Sequence, residues 1–109
     1  MKDDNVYLQH IKDAINKIEQ YLEGYSYEQF LQDSKTVDAV IRKVEIIGEA
    51  SNNISKEFQA KHSELPWRRM IGMRNRLIHE YFGVSEESVW STAKEDLPPL
   101  KKQLEEILP

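Results

Sequence analysis

Val37-Asp38-Ala39-Val40-Ile41-Arg42-Lys43-Val44-Glu45-Ile46-Ile47-Gly48-Glu49-Ala50 carries a strong apolar periodicity. Val37, Val40, Val44 and Ile47 recur at steps of three and four, which puts them on one face of a helix beginning near Thr36. Ile41 and Ile54 lie beside or beyond that stripe. Gly48 falls inside the helix, where glycine costs about 1 kcal/mol relative to alanine. A glycine at such a position marks the close approach of another backbone, so a second helix is expected to cross here.

The chain on either side is also helical in pattern. Leu8, Ile11, Ile15, Ile18 and Leu22 form the stripe of a first helix, with Asp3 or Asp4 as its cap and Gly24 where it stops. Ser26 followed by Gln29 reads as a capping box opening a short helix through Phe30 and Leu31. Residues 56–65 are polar and non-periodic, the pattern of a loop. Pro66 suits the first turn of the next helix, whose apolar face has Trp67, Ile71 and Ile78, widened by Met70, Met73 and Leu77. Tyr81-Phe82-Gly83 is expected to end it. Ser85 can cap a last helix, with Glu86 and Glu87 at its positive end and Val84 stapled to Val89. Its stripe, Trp90, Ala93, Leu97, Leu100, Leu104 and Ile107, stays in phase across Pro98-Pro99, so one helix kinked at the prolines is expected. No strand pattern or repeat is present. The expectation is an all-α, up-and-down bundle of four to five helices, one domain over residues 1–109.

Composition narrows the chemistry. There is no cysteine, which excludes disulfides and thiolate metal sites. The first residues lack the apolar core of a signal peptide, and no apolar run approaches a membrane span, so a cytoplasmic location is expected. The net charge of −4 argues against general polyanion binding. Its distribution is uneven. Four of the five arginines (Arg68, Arg69, Arg74, Arg76) fall within nine residues, and Trp67 to Gly83 carries +3 against −7 for the remainder. Such a segment can form a local anion site, or its arginines can simply pair with acids elsewhere.

The three histidines, His10, His62 and His79, lie on different elements, and there is no metal-ligand spacing or glycine-rich phosphate loop. What remains is Arg74-Asn75-Arg76-Leu77-Ile78-His79-Glu80-Tyr81. On a helix Asn75 and His79 sit one above the other, with Arg76 beside them. Arg74 starts about 140° around from His79 at roughly 100° per residue. It reaches its own His79 only by curling around the helix, and more easily meets the His79 of a second protomer across a two-fold axis. The side chains suit phosphodiester cleavage. With no metal-ligand pattern, the plausible nucleophile is the RNA's own 2′-hydroxyl. His79 would serve as general base or acid and Arg74 would stabilise the phosphorane, while Asn75 orients a phosphate or ribose hydroxyl. The spacing R-x4-H alone arises by chance in roughly one such chain in seven, and the added tyrosine lowers that to under roughly one in a hundred. A cap of the helix end by His79 is the structural alternative.

These residues resemble the HEPN superfamily, and within it the HepT toxins of the HepT–MNT (type VII) toxin–antitoxin systems. The family's R-x4-H with a following x-Y falls on Arg74, His79 and Tyr81, and Asn75 matches its polar residue after the arginine. Val44-Glu45-Ile46-Ile47-Gly48-Glu49-Ala50, Leu65-Pro66-Trp67, Ile71-Gly72-Met73-Arg74-Asn75 and Val89-Trp90 extend the likeness over most of residues 37–104. The resemblance implies a metal-independent endoribonuclease without cofactor, dimerising with its motif helices adjacent, and Arg76 then supports RNA binding. It also implies an MNT-type nucleotidyltransferase antitoxin that adenylylates Tyr81 or occludes the cleft, in a homodimer or a larger hetero-oligomer. A non-catalytic substrate-binding or docking subunit of a nucleotidyltransferase is the alternative from a different class; a purely structural dimerisation domain is a third.

Overall fold

The computed structural model describes residues 3–79 and 85–108, with the backbone alone for Ile78 and His79. Helix α1 spans Asp4–Leu22 and is capped by Asp3, whose carboxylate accepts from the Asn5 N–H at 3.0 Å. Its predicted stripe, Leu8, Ile11, Ile15, Ile18 and Leu22, is buried throughout. The chain turns at Gly24 with φ of 78°, a left-handed conformation that a Cβ would penalise. Helix α2, Tyr27–Gln32, opens with the expected capping box of Ser26 and Gln29.

Helix α3, Ser34–Asn53, starts two residues before Thr36 because Asp33 caps it, accepting from the Thr36 N–H at 3.1 Å. Tyr25, just past α1, donates its hydroxyl to the same Asp33 carboxylate. At the opposite end, Asp4 at the start of α1 accepts from the Ser55 N–H and hydroxyl, just past α3. The two helices are therefore antiparallel, and each end of the pair is fastened by an aspartate.

Residues 56–65 are not simply a loop. Lys56–Lys61 form a short helix, α4, whose N-cap is the Ser55 hydroxyl, accepting from the Phe58 N–H at 3.1 Å. Six residues are too few to show an apolar period, and the contact that seats Ser55 comes from Asp4 at the far end of the sequence. Phe58 then packs beside Trp67, whose indole N–H donates to the His62 carbonyl.

Helix α5 spans Trp67–His79 and begins directly after Pro66, whose carbonyl accepts from the Met70 N–H. The expected helix end at Tyr81-Phe82-Gly83 and the Val84 staple lie outside the described residues. Helix α6, Glu86–Ser91, is capped by Ser85 as expected. It continues without a break through Thr92–Asp96 into α7, Leu97–Ile107. The irregularity that the prolines demand is taken up one turn ahead of them. Thr92–Asp96 is wound as a π-helix, with the Leu97 N–H donating to the Thr92 carbonyl. The wider turn relieves the clash of each proline ring with the carbonyl four residues back. Ala93, Leu97, Leu100 and Leu104 are buried, with Trp90 and Ile107 packed against them.

The architecture is an all-α bundle of the expected class: α3 packs against both α1 and α5, and α7 against α1. Phe30 of α2 is fully buried against Trp90, ring centroids 5.2 Å apart. Among the described residues no helix is long and apolar enough to cross a membrane.

The α3–α5 contact is closest at Gly48, as its place in the sequence implied. A Cβ there would fall on the Arg74 Cβ and lie 2.7 Å from the Met70 carbonyl oxygen. Gly72 on α5 is the opposite case, with nothing within 4 Å of the Cβ it lacks. Gly48→Ala should therefore destabilise, because about 1–3 kcal/mol of overpacking outweighs the helical preference for alanine. Gly72→Ala should stabilise by up to about 1 kcal/mol. Urea unfolding of the two variants checks both signs; a Gly48→Ala protein as stable as wild type would refute the tight crossing.

Asp33 supplies a pH dependence. The hydroxyls of Tyr25 and Thr36 and the Thr36 N–H hold its carboxyl below the ordinary value. A depressed folded value means that its contribution is complete above the unfolded pKa, roughly 3.9, and is lost as pH falls through the lower folded value. Asp33→Asn should thus flatten the acid limb of the stability–pH curve below about pH 4, measured by thermal melts across a pH series.

Candidate active site

Among the described side chains of α5, those of Trp67, Met70 and Leu77 are buried. At helical spacing the missing member of that stripe is Arg74. All three buried residues belong to the expected apolar face, and Met73 packs against the core as well. Ile71 is only partly buried and borders an open groove, and the side chain of Ile78 lies outside the described residues. An arginine on the inward stripe is possible because the position opposite is Gly48, over which the Arg74 stem lies.

The polar end of Arg74 is fixed from two directions. Its Nη1 donates to the Asn75 Oδ1 at 2.8 Å, and its Nη2 meets the Glu49 Oε2 at 3.2 Å. The side chain is 24 % exposed, so the guanidinium is held at the margin of the core rather than free in solvent. Its Nε is buried without a hydrogen-bond partner among the described residues. A guanidinium has five N–H donors in a rigid plane, so two engaged donors leave others on the terminal nitrogens for an incoming anion. Asn75, the neighbour that Arg74 bonds, lies one turn before the backbone position of His79.

Asn75 is exposed beside this guanidinium, whereas Arg76, also exposed, borders a cleft with Arg69, Met73 and Ser88 towards α6. His79 is the last residue of α5 as described; its side chain, and Tyr81 as a whole, lie outside the described residues. Of the remaining arginines in the cluster, Arg69 pairs with Asp96 at 3.0 Å, while Arg68 has no ion pair among the described residues. The arginine-rich segment therefore divides between paired and unpaired members. His10 stacks edge-on to Tyr7 on α1 and borders a small pocket with Glu49, while His62 lies against Phe58. Among the described residues no three His, Asp or Glu side chains gather as a metal ion would need.

Glu49 is the residue whose part in the site the spacing did not reveal. It follows Gly48 directly in the sequence, and that adjacency is the available signal. The residue next to the point of closest helix approach is well placed to meet whatever crosses there.

The family described as ribonuclease HepT-like matches residues 11–107. The chain is 50 % identical over 101 residues to a Thermococcus cleftensis protein named "Probable ribonuclease HepT", covering 93 % of this chain and 92 % of that one. It is 44 % identical over 108 residues to a protein of Caldanaerobacter subterraneus whose RNase name is provisional, covering 99 % and 96 %. A Methanocaldococcus jannaschii protein, likewise provisionally named an RNase, is 38 % identical over 104 residues, 95 % of each chain. No solved structure matches.

The Glu49–Arg74 contact should position more than it stabilises. Glu49 is 58 % exposed, so solvent screens the pair. A double-mutant cycle of Glu49→Gln and Arg74→Met in urea unfolding should give a coupling of about 0.2–1 kcal/mol. A coupling above about 2 kcal/mol would mark a desolvated pair and a mainly structural role for Arg74.

Proposed function

The chain belongs to the HepT-like ribonuclease family, and on that premise we propose that it cleaves RNA without a metal, by attack of the RNA's 2′-hydroxyl on the neighbouring phosphorus. The observation that carries the reading is the Arg74 guanidinium, held by Glu49 and Asn75 with donors to spare, on the helix that ends its described span at His79. In the reaction His79 takes the 2′-hydroxyl proton as the 2′-O–P bond forms. The P–O5′ bond then breaks, and the leaving 5′-oxygen takes a proton from water or from the imidazolium of a His79 that has gained one, leaving a 2′,3′-cyclic phosphate and a 5′-hydroxyl. Arg74 donates to the phosphoryl oxygens while negative charge accumulates on them. Asn75 orients Arg74 and can offer its amide N–H groups to a phosphate or ribose oxygen. Arg76 adds a nearby positive charge for the RNA backbone. DNA, lacking the 2′-hydroxyl, is not a substrate for this chemistry.

The site belongs to a homodimer in this reading, with two α5 helices facing each other across a two-fold axis. In a cell the protein is the toxin of a type VII pair. Its antitoxin is an MNT-type nucleotidyltransferase that adenylylates Tyr81, two residues beyond His79. Nucleotide bulk and negative charge there would crowd the cleft and repel RNA phosphates.

Incubated with RNA in excess EDTA, the unmodified protein should leave 2′,3′-cyclic phosphate ends. His79→Ala should lower the rate by about 10²–10⁴-fold and Arg74→Ala by about 10²–10³-fold. Mixed Arg74→Ala and His79→Ala chains, exchanged into heterodimers, should regain activity if one protomer's arginine works with its partner's histidine. Equal cleavage by wild type and His79→Ala would sink the mechanism, and folded, dimeric wild type that cuts no RNA would favour a non-catalytic subunit.

A further inference from the structure

A groove of about 1020 Å³ runs between the end of α3, α4 and the first half of α5. It lies at the upper end of the roughly 300–1000 Å³ of small-ligand pockets and is open along its length, which suits a chain passing through. Its apolar lining includes Ala60, Pro66 and Ile71, and its polar lining Lys56, Arg68 and Asn52. In a chain with 19 acids against 15 lysines and arginines, none of the described residues that line it is acidic. Arg69 also borders it but is engaged by Asp96. Lys56 and Arg68 have no ion pair among the described residues. The groove ends at Asn75, the residue that bonds Arg74, so it is continuous with the site.

Gly72 supplies the independent observation. It lines the groove in mid-helix, and nothing in the chain occupies the space its missing side chain leaves. Packing within the chain explains Gly48 but not Gly72. A glycine there keeps the groove open one turn before Asn75 and Arg76.

We propose that this groove is the subsite for single-stranded RNA beside the cleaved linkage, with Lys56 and Arg68 meeting backbone phosphates and bases lying on the apolar lining past Gly72. The proposal rests on the ribonuclease reading and gives it a direction along the molecule. Arg68 lies about 10 Å before Asn75 at 1.5 Å per residue, so the strand runs back along α5 from the site. Cations tracking the backbone beside an apolar surface hold single strands with little sequence preference.

The test uses the full chain, the double variant Lys56→Glu/Arg68→Glu, and Gly72→Leu, which keeps helical propensity while filling the groove. Anisotropy with a labelled, non-cleavable 2′-O-methyl RNA of about ten nucleotides gives affinity across a salt series. Both variants should bind at least tenfold more weakly. The charge variant should also lose about 1.4 from the magnitude of the log–log salt slope, two phosphates at roughly 0.7 each. The ratio of kcat/KM for a ten-nucleotide RNA over a dinucleotide should fall towards one. Unchanged affinity and ratio in an active enzyme overturn the groove while leaving the nuclease standing. RNA binding that follows this pattern in a protein that cuts nothing leaves the groove and removes the nuclease. A change of oligomeric state by light scattering, with folding intact, overturns the proposal in favour of a second copy seated there.

Discussion

Helices α3 and α5 cross most closely at Gly48, and the placement of Arg74 follows from that crossing. Because that position has no side chain, α5 approaches until the Met70 carbonyl and the Arg74 stem lie directly against α3. That approach puts an arginine into an otherwise apolar stripe between Met70 and Leu77. Burying an unpaired charge would be costly, so the guanidinium must emerge at the margin and find partners there. Glu49, next to Gly48, and Asn75, next to Arg74, are those partners. One small residue on α3 thus fixes both the approach of α5 and the placement of its most chemically useful cation.

Much of the fold was legible because it rests on local rules. The stripes of α1 and α3, the capping box at Ser26, the cap at Ser85 and the helix-ending Gly24 each need only a few neighbouring residues to be recognised. Helix α4 was illegible for the complementary reason. Its first residues are positioned by Asp4, 51 positions away, and six residues show no period. On α5 the expected face holds Trp67, Met70 and Leu77, all buried, but apolar periodicity treats arginine as outward and gave no sign that the Arg74 stem lies between Met70 and Leu77. Gly48 predicted the crossing but not the residue that fills it.

The site was legible to a different depth. Arg74 and Asn75 meet through their side chains, and Asn75 lies one turn before His79. Their helical angles alone did not predict that contact, because a helical wheel places Cβ atoms and says little about the end of a long side chain. The role of Glu49 could not come from spacing within one segment, since it acts across a helix–helix interface. Net charge was the weakest guide. A total of −4 conceals a groove whose described lining contains no acid, and a local field is what an approaching phosphate meets.

Arginine at position 74 is then more than a positive charge. Holding the Asn75 oxygen and the Glu49 carboxylate while still offering donors requires several N–H groups in one rigid plane. A lysine could satisfy the charge, but its ammonium is a compact centre on a flexible stem. It could not keep two fixed partners in these directions and present a planar pair of donors to phosphate oxygens. The two partners also differ in what they supply: Glu49 balances charge, while Asn75 adds direction without charge. Together they reduce the freedom that a long side chain would otherwise lose when a charged phosphate arrives, so the ordering is completed during folding. Gly48 makes that possible by admitting the stem, and Gly72, on the open side of the same helix, leaves room for what the guanidinium would act upon.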